Sequence, residues 1–226
     1  MTEPLSASPA SIAKKQYVAV TGLLLIGFVI AHLAGNLFIY LGPEAFNGYA
    51  AKLAHLRPGL YVVEALLLAI FVSHMYVTAL LVLENIKARG TPYKLDRSKG
   101  TRSLATVLMP YTGVVVLAFV VFHLWDFTFI DHDGPRSILA DGKSYGLYGV
   151  VYNSFADPLH SAFYIAAMAA VGLHLCHGVE SFMQTFGIAH DNHKGRVVKF
   201  SWVFAIAIVV GYSSIPVYVM IKNSLM

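Results

Sequence analysis

Five apolar runs, each long enough to cross a lipid bilayer, constrain this chain more than any other feature of its sequence. A membrane-crossing helix needs about 20 predominantly apolar residues. The runs cover residues 16–41, 58–86, 104–130, 157–187 and 198–221. Hydrocarbon offers no water to the backbone, so each N–H and C=O must pair within the protein, and a helix does this segment by segment. The expected fold class is therefore all-α, an integral membrane bundle of five transmembrane helices. Composition agrees. The chain is 57% hydrophobic and 12% charged, with a mean hydropathy of +0.65, whereas soluble domains carry about a quarter charged residues. No low-complexity segment divides it, so residues 1–226 are expected to form a single transmembrane domain.

Several helix ends are legible. Pro58 and Pro158 suit the first turns of the second and fourth spans, and Asp157 is placed to cap the fourth. Pro216 is expected to kink the fifth span near its end. The first span is too long for the h-region of a cleaved secretory signal, about 7–15 residues. Basic residues gather at Lys14 and Lys15, in segment 87–102 and in segment 190–199. Alternating spans put all three on one side, which predicts a cytoplasmic N-terminus and an outward C-terminus. The opposite loops, 42–57 and 131–156, carry mixed charge, and the second is a candidate for the membrane surface. The net charge of +4 and pI of 9.1 come from these inside loops, so membrane lipid is the expected surface partner, with no nucleic acid.

The single cysteine, Cys176, excludes an internal disulfide and any zinc or iron–sulfur site built from this chain's own thiolates. Histidine is the informative residue. Four of the ten, His32, His74, His123 and His174, lie deep in spans one to four, one per span. An ionisable group inside a bilayer is costly and points first to function. Their depths fall in two classes. His32 lies nine residues before Leu41 and His123 seven before Ile130, whereas His74 and His174 each lie sixteen after Pro58 and Pro158. At a helical rise of 1.5 Å per residue the two levels differ by roughly 10–13 Å. Two imidazoles at each level suit two stacked haems, because iron in a flat macrocycle takes one axial ligand from each face. Zinc needs more ligands per level than are present.

The neighbouring residues are small. Ala162, Ala166, Ala170, His174 and Gly178 form one stripe of the fourth span, and Gly27, Ala31 and Gly35 lie beside His32. Such stripes serve close helix packing and also suit a porphyrin face. His177 lies one turn from His174 and about 60° around the helix from it. It reads as a hydrogen-bond partner for the haem edge or for the helix interface, rather than as a ligand of the iron.

Four segments carry a resemblance to a known family: TGLLLIGFVIAHLAGNL at 21–37, FVSHMYVTALLVLENIKARG at 71–90, MPYTGVVVLAFVVFHLWDF at 109–127 and HLCHGVESFMQTFG at 174–187. Together they resemble the dihaem cytochrome b subunit of bacterial succinate dehydrogenase and fumarate reductase, of the b558 type. The resemblance implies four helices around two haems b. It puts the four haem ligands on His32, His74, His123 and His174, and the depth count pairs His32 with His123 on the outer haem and His74 with His174 on the inner one. It implies a place in the bacterial cytoplasmic membrane, and as partners a flavoprotein subunit with FAD and an iron–sulfur subunit on the cytoplasmic face. This chain has no GxGxxG motif and no means of dicarboxylate chemistry; its implied task is to pass electrons between the iron–sulfur subunit and a membrane quinone. The basic segment with Arg89, Tyr93, Arg97 and Arg102 is the expected docking surface.

Quinone chemistry moves protons, and a carboxyl with a raised pKa suits that work. Glu64 and Glu180 are the carboxylates singled out in the spans, and an interhelical hydrogen bond is the alternative use for each. Glu64 has His55 and Glu44 in the adjacent loop, and some family members carry a quinol site near the outer haem. Glu64 and His55 are therefore the quinone candidates. Two other readings compete. A haem b anchor of a hydrogenase or formate dehydrogenase would copurify with nickel or molybdenum proteins. A transporter relaying protons through histidines would show no visible absorption.

Overall fold

A computed structural model describes residues 9–88, 104–189 and 193–225. Seven α-helices are present among them: α1 (Pro9–Asn36), α2 (Pro43–His55), α3 (Gly59–Ala88), α4 (Leu104–Phe127), α5 (Gly146–Ala156), α6 (Pro158–Thr185) and α7 (Lys194–Ser224). Short 3-10 turns follow α1 at Leu37–Leu41 and precede α5 at Pro135–Ser137. Apart from one isolated bridge between Ile138 and Ser144, the described residues hold no extended pairing. Five of the helices are long and apolar enough to cross a membrane. The chain is a multi-pass membrane protein with a helical-bundle fold.

The five long helices match the five apolar runs, with shifted ends. The first begins at Pro9, earlier than hydropathy indicates, because Lys14 and Lys15 are good helix formers at an exposed end. Lys14 also pairs with Glu84, which ties the start of α1 to the end of α3. The fourth starts as its sequence predicts. Asp157 accepts a hydrogen bond from the Leu159 N–H at 2.9 Å, and Pro158 occupies the first turn. It ends at Phe186, followed by Gly187 at φ +72°, a left-handed position that glycine adopts without strain. The fifth continues as helix past Pro216 to Ser224.

The long helices pair as two antiparallel hairpins, α1 with α3 and α4 with α6. α6 also packs on α1 and α7, and so joins the two hairpins. α3 has α1 as its one substantial helix neighbour among the described residues.

The two mixed-charge loops are more ordered than their sequence indicates. Segment 42–57 contains α2, and segment 131–156 contains α5, which enters the protein core rather than resting on a surface. Tyr148, Val151, Tyr152 and Phe155 recur at helical spacing and are buried with Ile39, Phe46, Tyr164, Ile215 and Val219. Asn47 of α2 clamps α5. Its amide donates to the Tyr145 carbonyl at 2.7 Å, and its oxygen accepts from the Tyr148 N–H at 3.0 Å. That contact replaces a helix cap in the first turn of α5. Gly149 is required by close approach, since a Cβ there would sit 2.1 Å from the Ser137 carbonyl oxygen. Just before α5, the Lys143 N–H and then the Tyr145 hydroxyl donate to Asp141, holding its carboxyl below the usual range.

Candidate functional site

The four intramembrane histidines lie at two levels of the bundle, and at one of them two rings meet. His32 of α1 and His123 of α4 lie at the end of the bundle that α5 closes. Their ring centroids are 5.8 Å apart and their planes are near perpendicular, at 85°. Phe28 stacks on His32 at 5.3 Å, and Phe119 lies 5.8 Å from His123. Tyr212 of α7 borders the same pair, 6.1 Å from His32. His123 Nδ1 is buried and has no hydrogen-bond partner.

His74 of α3 and His174 of α6 are electrostatic neighbours further along the bundle. Each makes a side-chain contact with a threonine on the adjacent helix. His74 Nδ1 lies 3.0 Å from Thr21 Oγ1, and His174 Nδ1 lies 3.4 Å from Thr112 Oγ1. These contacts measure the separation of the two levels. Thr21 and His32 are eleven residues apart on α1, as are Thr112 and His123 on α4. Eleven helical residues rise roughly 16 Å. The sequence count came out shorter because it took all four spans to end at one common level.

The donor set fits a macrocyclic iron better than a bare ion. Among the described residues no group of three or more His, Cys, Asp or Glu side chains is placed to hold a metal. A porphyrin brings its own four nitrogens, so two imidazoles at a level complete the coordination. His177 is half-buried one turn along from His174, and both His174 and Glu180 are its electrostatic neighbours. Glu180 accepts a hydrogen bond from Gln184 at 3.4 Å.

The other candidates stand apart. Glu64 is exposed on the outer surface of α3, and His55 is exposed at the end of α2. Arg89, Tyr93, Arg97 and Arg102 lie outside the described residues.

A polar cluster that the sequence reading did not single out closes the α5 end. Asp126, only 6% exposed, sits one turn beyond His123. Arg136 Nη2 donates to its Oδ1 at 2.9 Å, and the Tyr164 hydroxyl donates to its Oδ2 at 2.8 Å. His160 Nε2 lies 2.9 Å from the same Oδ2, a contact whose angle falls short of a hydrogen bond. Arg136 also bonds Ser154 of α5. Asp126 was visible as a lone carboxylate in the WDF end of the third run. Thr21 and Thr112 had a signal too: Thr-Gly-x5-Phe-x3-His occurs at 21–32 and again at 112–123.

Comparison with known proteins adds one relationship. The chain is similar to the succinate dehydrogenase cytochrome b558 subunit of Bacillus subtilis (strain 168), with 26% identity over 177 residues, 78% of this chain and 80% of that one. That likeness spans most of both proteins. No family model matches the chain. No solved structure matches it.

Proposed function

We propose that this chain is the haem b-containing membrane anchor of a succinate:quinone oxidoreductase or quinol:fumarate reductase. It carries electrons between an iron–sulfur subunit and membrane quinone. The observation that carries this reading is one intramembrane histidine on each of four helices at two levels, with His32 and His123 in ring contact. The named relative supports the same assignment. Bound between paired imidazoles, a haem b supplies a one-electron couple inside the bilayer. His32 and His123 hold the outer haem, and His74 and His174 the inner one. Each imidazole ligates as the neutral ring, with its second nitrogen free to donate a hydrogen bond. His177 borders the inner haem's edge. FAD and iron–sulfur clusters belong to the partner subunits. A dithionite-reduced spectrum of the purified full chain tests the reading: two b-type haems per chain are expected, and a spectrum without haem bands would overturn it.

The chain sits in the bacterial cytoplasmic membrane with its N-terminus inside, following the basic segments. A reporter fused after Met226 is expected to be active only outside. The iron–sulfur subunit docks on the cytoplasmic face, where segment 87–102 contributes its basic residues.

Glu64, with His55 nearby in sequence, serves quinone protonation. Its exposure on α3 gives a lipid-borne quinone direct access. Glu64→Gln is expected to lower quinone-linked turnover several-fold while both haems and dye-linked succinate oxidation stay intact. An unchanged quinone rate removes Glu64 from the site.

A further inference from the structure

The two histidines of the inner level share a seat that the outer level does not repeat at His123. Thr21 and Thr112 are both buried, 5% and 6% exposed, at positions where an apolar residue would be the ordinary choice. Each hydroxyl has a backbone carbonyl of its own helix within reach. Thr21 Oγ1 donates to the Tyr17 carbonyl at 2.9 Å or the Val18 carbonyl at 3.2 Å, and Thr112 Oγ1 donates to the Met109 carbonyl at 3.0 Å. A hydroxyl has a single proton and two acceptor lone pairs. With the proton directed to the backbone, the oxygen accepts from the imidazole. The threonine on this side of each ring therefore asks for Nδ1–H, which leaves the Nε2 lone pair available for a metal.

The residue after each threonine completes the seat. A Cβ on Gly22 would lie 3.2 Å from His74 Cε1, and one on Gly113 would lie 3.5 Å from His174 Cε1. The approach is tight at Gly22, where glycine lets the His74 ring lie against the backbone of α1, whereas at Gly113 the distance is an ordinary van der Waals contact. The same Thr-Gly step thus occurs on α1 and on α4, each facing the histidine of its hairpin partner. His123 at the other level has a buried Nδ1 with no partner.

We propose that Thr21 and Thr112 are positioning residues for the inner haem. They fix the Nδ1–H tautomer and the ring orientation of His74 and His174, strengthen donation from Nε2 to ferric iron, and so lower the potential of that haem alone. This rests on the haem reading above.

The test is a redox titration of the purified full chain with its native haems, followed at the haem α-band and by low-temperature electron paramagnetic resonance of the ferric form. The inner component is the one that His74→Ala and His174→Ala remove. Thr21→Val and Thr112→Val keep the shape and delete the oxygen. Each is expected to raise the inner midpoint by about 59 mV, a tenfold change in a one-electron equilibrium constant. The outer component stays in place, and Thr21→Ser and Thr112→Ser restore the original value. Where a Val variant does not retain the inner haem, the Ser variant decides: an inner haem at the original potential supports the seat, and a shifted or missing one overturns it. Unchanged inner potentials in both Val variants overturn it, as does an equal shift of both haems. A chain isolated without haem would instead sink the preceding reading. Two haems with unmoved potentials would sink only the threonine seats.

Discussion

His32→Ala and His123→Ala are expected to lose or convert one and the same spectral component, and His74→Ala and His174→Ala the other. Each single variant should thus retain about half of the haem. The physical argument is that an axial ligand removed from either face leaves the same iron five-coordinate. The two residues of a pair are then indistinguishable by the component they affect, while residues of different pairs are not. His32 and His123 are 5.8 Å apart between ring centroids. They are separated from the level of Thr21 and Thr112 by eleven residues of helix, roughly 16 Å. His177→Ala is expected to leave both components present, because it lies one turn from His174 and faces a different sector of α6. If His177→Ala removes a haem and His174→Ala does not, the ligand on α6 is misassigned. If His32→Ala and His74→Ala affect one component together, the two-level arrangement fails.

The second large effect is expected at Asp126. Asp126→Leu removes the acceptor shared by Arg136 and Tyr164 and contacted by His160. Deleting the carboxylate strands the buried Tyr164 hydroxyl and leaves the partly solvated Arg136 guanidinium without its counter-ion, at a combined cost of about 3 kcal/mol. For a chain of this size that is a fall in Tm of roughly 6–12 °C. Asp126→Asn keeps an acceptor oxygen and should cost less. Arg136→Met should cost at least as much as Asp126→Leu, because it leaves the buried Asp126 carboxylate, 7% exposed, without its counter-ion, whereas Asp126→Leu leaves a guanidinium that is 38% exposed and keeps part of its solvation. Thermal unfolding of the purified chain in detergent, followed by tryptophan fluorescence, measures the series. A Leu variant that melts with the parent protein would mean that the cluster contributes nothing to stability.

The long helices were legible because hydrocarbon leaves the backbone one solution. Runs such as 58–86 then need only a count of apolar residues, and the prolines at 58 and 158 mark two of the starts. α5 was not legible. Its eleven residues, GLYGVVYNSFA, are too few for a span, and their burial depends on α2 and α7 arriving from distant sequence to cover Tyr148 and Tyr152. The histidines stood out because each is a polar residue in an apolar run. Asp126 is just as polar, yet it was not singled out. Its partners come from two other segments, Arg136 from the turn before α5 and His160 and Tyr164 from α6, and only the fold assembles them. The threonine seats were written in the repeat of Thr-Gly-x5-Phe-x3-His, but which histidine each threonine meets is a property of the hairpin and not of its own helix.

The sparse packing of α3 has a consequence for how the molecule is put together. α3 leans on α1 and brings His74 toward α6, with which it has little contact of its own. A ligand that bridges His74 and His174 therefore fastens a helix that protein contacts hold only on one side. Linkage makes this reciprocal: whatever binds only the closed arrangement stabilises it by RT ln(1 + [L]/Kd). In the order of assembly, α1, α4, α6 and α7 make the vessel and α3 is its door. Loading the inner site and latching the door become a single event.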